Sequence, residues 1–115
     1  MKKSTQIFKS LSEEIRLRII NLLFAGELCV CDLMEVLDLP QSTISRHLSY
    51  LKNAEWVEGD RRGVWMYYRL IDNKDQFLNE LKMLLIRYLP TLKQCVDDNA
   101  RLAIYLKQKG KDACK

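Results

Sequence analysis

Over residues 4–11, Ile7, Phe8 and Leu11 recur at helical spacing, which predicts a short opening helix. Ser12 offers an N-cap for a second helix, and Glu13 and Glu14 suit its first turn. Ile15, Ile19, Leu22 and Leu23 then follow at helical spacing, interleaved with Arg16 and Arg18, until Gly26 stops the run. Residues 31–37 read as another short helix with Leu33, Val36 and Leu37 inward, broken by Asp38-Leu39-Pro40. Gln41 or Ser42 starts the next helix, in which Ile44, Leu48 and Leu51 share one side. The other side carries Gln41, Thr43, Ser45, Arg46 and Tyr50. Two short helices joined by a tight break, the second polar on its outer face, predict a helix-turn-helix.

Residues 56–60 and 64–70 favour strand, with Arg61-Arg62-Gly63 expected as the turn between them. The pair reads as a hairpin wing tipped by two arginines. A strong helix over residues 74–89 follows, with Phe77, Leu78, Leu81, Leu84, Leu85 and Tyr88 on one stripe, widened by Met83, Ile86 and Leu89. After Pro90 a last helix groups Leu92, Cys95, Val96, Leu102, Ala103 and Leu106. The expected organisation is a single mainly α winged helix-turn-helix domain over residues 1–115, with a β-hairpin wing. Residues 29–53 form its helix-turn-helix, 56–70 the wing and 107–115 a loose tail. The apolar excess in 1–26 and 74–106 exceeds one core face and points to homodimerisation.

The 115 residues are 48% hydrophobic and 30% charged, an ordinary globular profile. No apolar run is long enough for a membrane span, and Met1-Lys2-Lys3-Ser4 is not followed by the apolar stretch of a secretory signal. A cytoplasmic location with reduced thiols is therefore expected for Cys29, Cys31, Cys95 and Cys114. A net charge of +4, doubled in a dimer, is compatible with DNA. There is no Ser/His/Asp set, no glycine-rich phosphate loop and no nucleophile near the lone His47, so neither an enzyme nor an organic cofactor is expected.

Cys29-Val30-Cys31 is a soft-ligand pair at the head of the helix-turn-helix. Residues two apart lie about 200° apart around a helix but on one side of an extended chain. Helical spacing is expected to keep the two sulfurs apart, so that capture of one ion by both opens the first turn of this helix. For DNA the candidates are Gln41, Ser42, Thr43, Ser45 and Arg46 in the major groove, His47 beside them as a packed or phosphate-facing position, and Arg61 and Arg62 at the wing.

The string Glu27-Leu28-Cys29-Val30-Cys31-Asp32-Leu33 is followed by Ser42-Thr43-Ile44-Ser45-Arg46-His47-Leu48 and a wing ending Tyr67-Tyr68-Arg69-Leu70. Together they resemble the ArsR/SmtB family of dimeric bacterial winged-helix metalloregulators, over residues 11–70. The resemblance implies a homodimeric repressor that releases double-stranded operator DNA when trivalent arsenic or antimony binds Cys29 and Cys31. Relatives with a similar string answer to cadmium or lead. Arsenic sensors of this family place a third cysteine where this chain has Met34, and the cadmium/lead branch adds cysteines from an N-terminal arm that has none here. Cys95 is the candidate third metal ligand, Cys114 a further one, and a thiol-redox or zinc response on the same fold is the alternative. Asp97 and Asp98 are expected on a solvated face rather than in a divalent-metal site.

Overall fold

The computed structural model describes residues 1–72 and 75–109. Helices α1 (Lys2–Ser10) and α2 (Glu14–Leu23) meet at a tight corner. There the Ser12 hydroxyl donates to the Lys9 carbonyl at 2.7 Å, so it closes α1 and does not cap α2, whose N-cap is Glu13. Gly26, at φ 131°, lies in the left-handed region and turns the chain after α2.

The chain then runs through a two-residue strand, β1 (Leu28–Cys29), directly into α3 (Val30–Leu37). Cys29 is extended, at φ −76° and ψ 153°, and is the N-cap, so α3 begins at Val30 rather than Cys31. Two residues are too few for a period, which is why the hydrophobic pattern does not announce β1. Asp38, at φ 55°, ends α3, and Pro40 is the N-cap of α4 (Gln41–Asn53). Gln41 therefore opens the recognition helix and Ser42 lies inside it.

The wing pairs β2 (Val57–Arg62) with β3 (Trp65–Leu70), in a register that sets Arg62 opposite Trp65. Its turn is Gly63-Val64, with Gly63 at φ 64°, and both arginines are strand residues rather than turn residues. β1 joins the other edge of β3, giving the order β1-β3-β2, all antiparallel. Then come α5 (Gln76–Tyr88), capped by Asp75 accepting from the Phe77 amide at 2.9 Å, and α6 (Lys93–Lys109). Lys74, expected to open α5, lies outside the described residues, as do 110–115 with Cys114. The first three residues of the expected tail, 107–109, are helical.

The core is built where α2, α3 and α4 converge, from Ile19, Leu22, Leu33, Ile44, Leu48 and Leu51, all fully buried. Burial of each such side chain is worth about 1.5–3 kcal/mol. α6 packs across α2, where Arg18 makes a two-pronged ion pair with Asp98 at 2.8 and 2.9 Å. Asp98 is wholly buried, so it does not lie on a solvated face; the paired guanidinium is what makes that burial tolerable. Of the apolar stripes on α5 and α6, Leu78, Leu85, Cys95 and Leu102 are buried, whereas Leu84, Tyr88 and Val96 are more than half exposed. Among the described residues no helix is long and apolar enough to cross a membrane.

Candidate thiol site and nucleic-acid interface

The extended backbone at Cys29 changes the geometry of the cysteine pair. Because Cys29 lies before the first helical turn, its side chain folds back over the helix start and accepts a hydrogen bond from the Cys31 amide at 3.4 Å. The two sulfurs lie 2.8 Å apart. The expectation that helical spacing holds them apart until a turn opens is thus corrected: Cys29 is not helical, and the sulfurs already converge. Cys29 is wholly buried and Cys31 partly so; Cys31 is disulfide-bonded and of the two only Cys29 is a free thiol, which corrects the expectation of reduced thiols at both. Burial pushes the Cys29 thiol up from its ordinary value.

Asp32 completes the local frame. It occupies the third helical position after the Cys29 cap, and its Oδ2 accepts from the Cys29 amide at 2.7 Å, the return half of a capping box. Its Oδ1 accepts from the Tyr105 hydroxyl at 2.7 Å and from the Lys109 ammonium at 2.6 Å, both on α6. The carboxylate is 1% exposed. Sequence reading singled out none of these three residues. The Cys-x-x-Asp spacing was the available sign for Asp32; nothing local to 105 or 109 announces their contact with residue 32.

Among the described residues no group of three or more His, Cys, Asp or Glu side chains is placed to hold a metal ion. Cys95 is not brought to the pair within the protomer. It is buried near Arg18 and Asp98, and ten residues of α6, about 15 Å of helix, separate it from Tyr105. Burial pushes its thiol up as well. Met34 packs partly buried against the core.

On α4, Gln41, Ser42 and Arg46 are exposed, and Thr43 and Ser45 are partly so. His47 is not on this outer face: it is 5% exposed, and its Nδ1 lies 3.3 Å from the Arg16 guanidinium. One α-turn separates Thr43 from His47, but the ring points toward α2 and is displaced from any groove-facing role. Arg16 also donates to the Ser10 carbonyl at 2.9 Å and the Lys9 carbonyl at 3.0 Å, and stacks 4.1 Å from the Tyr50 ring centroid. It fastens the end of α1 to the recognition helix. On the wing, Arg61 is exposed and has no ion pair among the described residues. Arg62 is folded back on Glu27, at 2.7 Å, and on Asp60, and stacks over Tyr67.

The profile of bacterial regulatory proteins of the arsR family matches residues 13–58, from the start of α2 into the wing. The chain is 39% identical over 75 residues to the arsenical resistance operon repressor of Bacillus subtilis (strain 168), covering 64% of this chain and 71% of that one. The chain belongs to the arsR family. An arsenical resistance operon repressor of Escherichia coli (strain K12) is 48% identical over 66 residues, 56% of each chain. A cadmium resistance regulatory protein CadC homolog of Staphylococcus aureus is 38% identical over 68 residues, covering 58% of this arsR-family chain and 56% of that one. The aligned part thus spans little more than half of the last two relatives. Among solved structures, HlyU from Vibrio cholerae N16961 superposes with a TM-score of 0.65 at 29% identity, over 75% of this chain and 90% of that one. The homodimeric winged helix-turn-helix DNA-binding domain of a possible ArsR-family regulator from Mycobacterium bovis gives 0.62 at 26% identity, over 80% and 86%.

Proposed function

We propose that this arsR-family protein is a homodimeric repressor that binds operator DNA through α4 and the wing and releases it when trivalent arsenic or antimony binds Cys29 and Cys31. The observation that carries this reading is the meeting of two sulfurs, 2.8 Å apart, at the N-cap of the first helix of a helix-turn-helix. The names of the Bacillus and Escherichia relatives point to the same class of inducer. Thiolates select soft ions.

The two recognition helices of a dimer enter successive major grooves about 34 Å apart. Gln41, Ser42, Thr43, Ser45 and Arg46 face the groove, and Arg61 reaches the backbone or minor groove from the wing. Arg62 contributes to DNA only by giving up its Glu27 pair. The route from ion to DNA follows from what Cys29 touches. It pairs with Tyr67 of β3 in the wing sheet and caps α3, which packs on α4. Two thiolates bound to one ion at about 2.3 Å, with an angle of about 90° or more between the bonds, would sit at least about 3.3 Å apart, so capture would open the 2.8 Å pair by about half an ångström or more. That displacement acts on the wing strand and on the helix beneath the recognition helix together.

Cys29→Ser and Cys31→Ser are each expected to bind operator as the wild type does and to lose arsenite-induced release, read by fluorescence anisotropy. Unchanged release in both variants contradicts the reading. A cadmium- or lead-responsive repressor is the second reading, favoured by the likeness to the CadC homolog. Competition between arsenite and cadmium, followed by sulfur-to-metal charge-transfer absorption, separates the two.

A further inference from the structure

We infer that the Asp32 carboxylate couples the thiol pair to α6, with Tyr105 and Lys109 as positioning residues that carry ligand capture to the dimer interface. The inference rests on the functional reading above and deepens it.

Asp32 is 1% exposed and accepts from three N–H and O–H donors, the Cys29 amide on Oδ2 and the Tyr105 hydroxyl and Lys109 ammonium on Oδ1, with the Cys31 sulfur 4.0 Å from Oδ1. A carboxylate held by three donors is not a ready ligand for an ion, and its value lies in rigidity. Its two oxygens move as one body, so a shift of the Cys29 backbone at Oδ2 is transmitted to Oδ1 and therefore to α6. Tyr105 sits between Ile104, which is 60% exposed, and Leu106, which is 39% exposed. These apolar side chains point away from the protomer core, on the helix that the homodimer reading places between subunits. The Asp32 contact is thus where the Cys29/Cys31 site meets a helix whose outward face, in the proposed homodimer, would set the spacing of the two recognition helices. Breaking a buried charge-assisted hydrogen bond strands its partner, so the inferred coupling treats the contact as either made or lost. A two-state element biased by both ligands is what coupling between sites requires.

The test uses the full-length protein, a duplex operator recovered by in vitro selection, and arsenite. Tyr105→Phe removes one hydroxyl from the contact; Lys109→Met removes the cation at the helix end, and the urea midpoint of each variant shows that its fold is kept. The quantity read is the ratio of operator affinities without and with saturating arsenite. Each variant is expected to shrink that ratio at least fivefold while still developing the sulfur-to-arsenic absorption band. Coupling is reciprocal, so operator must weaken arsenite binding by the same reduced factor. A purely structural Tyr105 or Lys109 would change basal affinity or melting temperature and leave the ratio at its wild-type value; that result overturns the inference. A wild type whose ratio is one, with the absorption band present, instead overturns the functional reading, and the inference falls with it.

Discussion

Arg16 and His47 show how a single residue pair ties two helices of different duty together. Arg16 can only donate, so the His47 Nδ1 that faces it at 3.3 Å is placed as an acceptor, which favours the neutral ring. Burial, then the charges of Arg16 on α2 and Arg46 on α4, hold His47 below its ordinary value near 6.5, with Glu13 opposing weakly. The unfolded chain then binds a proton that the folded chain rejects. Stability is at its full value above the unfolded pKa, and falls as pH drops through 6.5 toward the depressed folded value. Urea midpoints followed from about pH 8 to about pH 5 should show this fall in the wild type and a shallower one in His47→Gln. Parallel curves would remove His47 from the account. At this scale the sequence marked the cysteine pair, because Cys-x-Cys is rare and soft ligands are chemically distinctive. It left His47 between packing and a phosphate contact and placed Asp98 on a solvated face, because each is polar and each is buried against an arginine contributed by a different helix. Such pairing depends on how elements cross, which no local pattern encodes.

α3 is the element on which the proposed function turns, and its stability has two separable sources. One is the reciprocal cap between Cys29 and Asp32; the other is the burial of Leu33, Val36 and Leu37 against α4 and the sheet. Leu33→Ala, at a wholly buried position, is expected to cost about 2–5 kcal/mol in urea unfolding with the m-value unchanged. A loss below 1 kcal/mol would mean α3 is looser than its packing implies. Helices α2 to α5 were legible because their apolar positions repeat at helical spacing over two or more turns. The extended N-cap and β1 were not, since one residue of β1 serves two elements at once: Cys29 is a ladder partner of Tyr67 and the cap of α3. The wing turn slipped for a related reason. A turn of Arg61-Arg62-Gly63 and one of Gly63-Val64 both use the same glycine, and cross-strand pairing of Arg62 with Trp65 chooses between them.

At the scale of the molecule, the protomer leaves apolar surface that α5 and α1 do not bury between them. Phe8 packs edge-on to Phe77 with ring centroids 5.8 Å apart, yet both rings remain substantially exposed beside Leu84 and Tyr88. Exposed apolar patches mark interaction sites, the homodimeric Mycobacterium bovis domain shares this fold, and this surface is the interface in the homodimer proposed above. Leu84→Glu is therefore expected to shift the protein to monomer in analytical ultracentrifugation and to weaken operator binding more than tenfold; a variant that stays dimeric places the interface elsewhere. Excess apolar residues over one core face were visible in the sequence, whereas the contact of Asp32 with Tyr105 and Lys109, more than 70 positions apart, was not. The central claim is that the convergent sulfurs of Cys29 and Cys31 govern release of DNA. Its most direct test is operator anisotropy for the wild type, Cys29→Ser and Cys31→Ser, each titrated with arsenite. The account predicts loss of anisotropy in the wild type alone, from equal starting affinities; release that persists in both serine variants would contradict it.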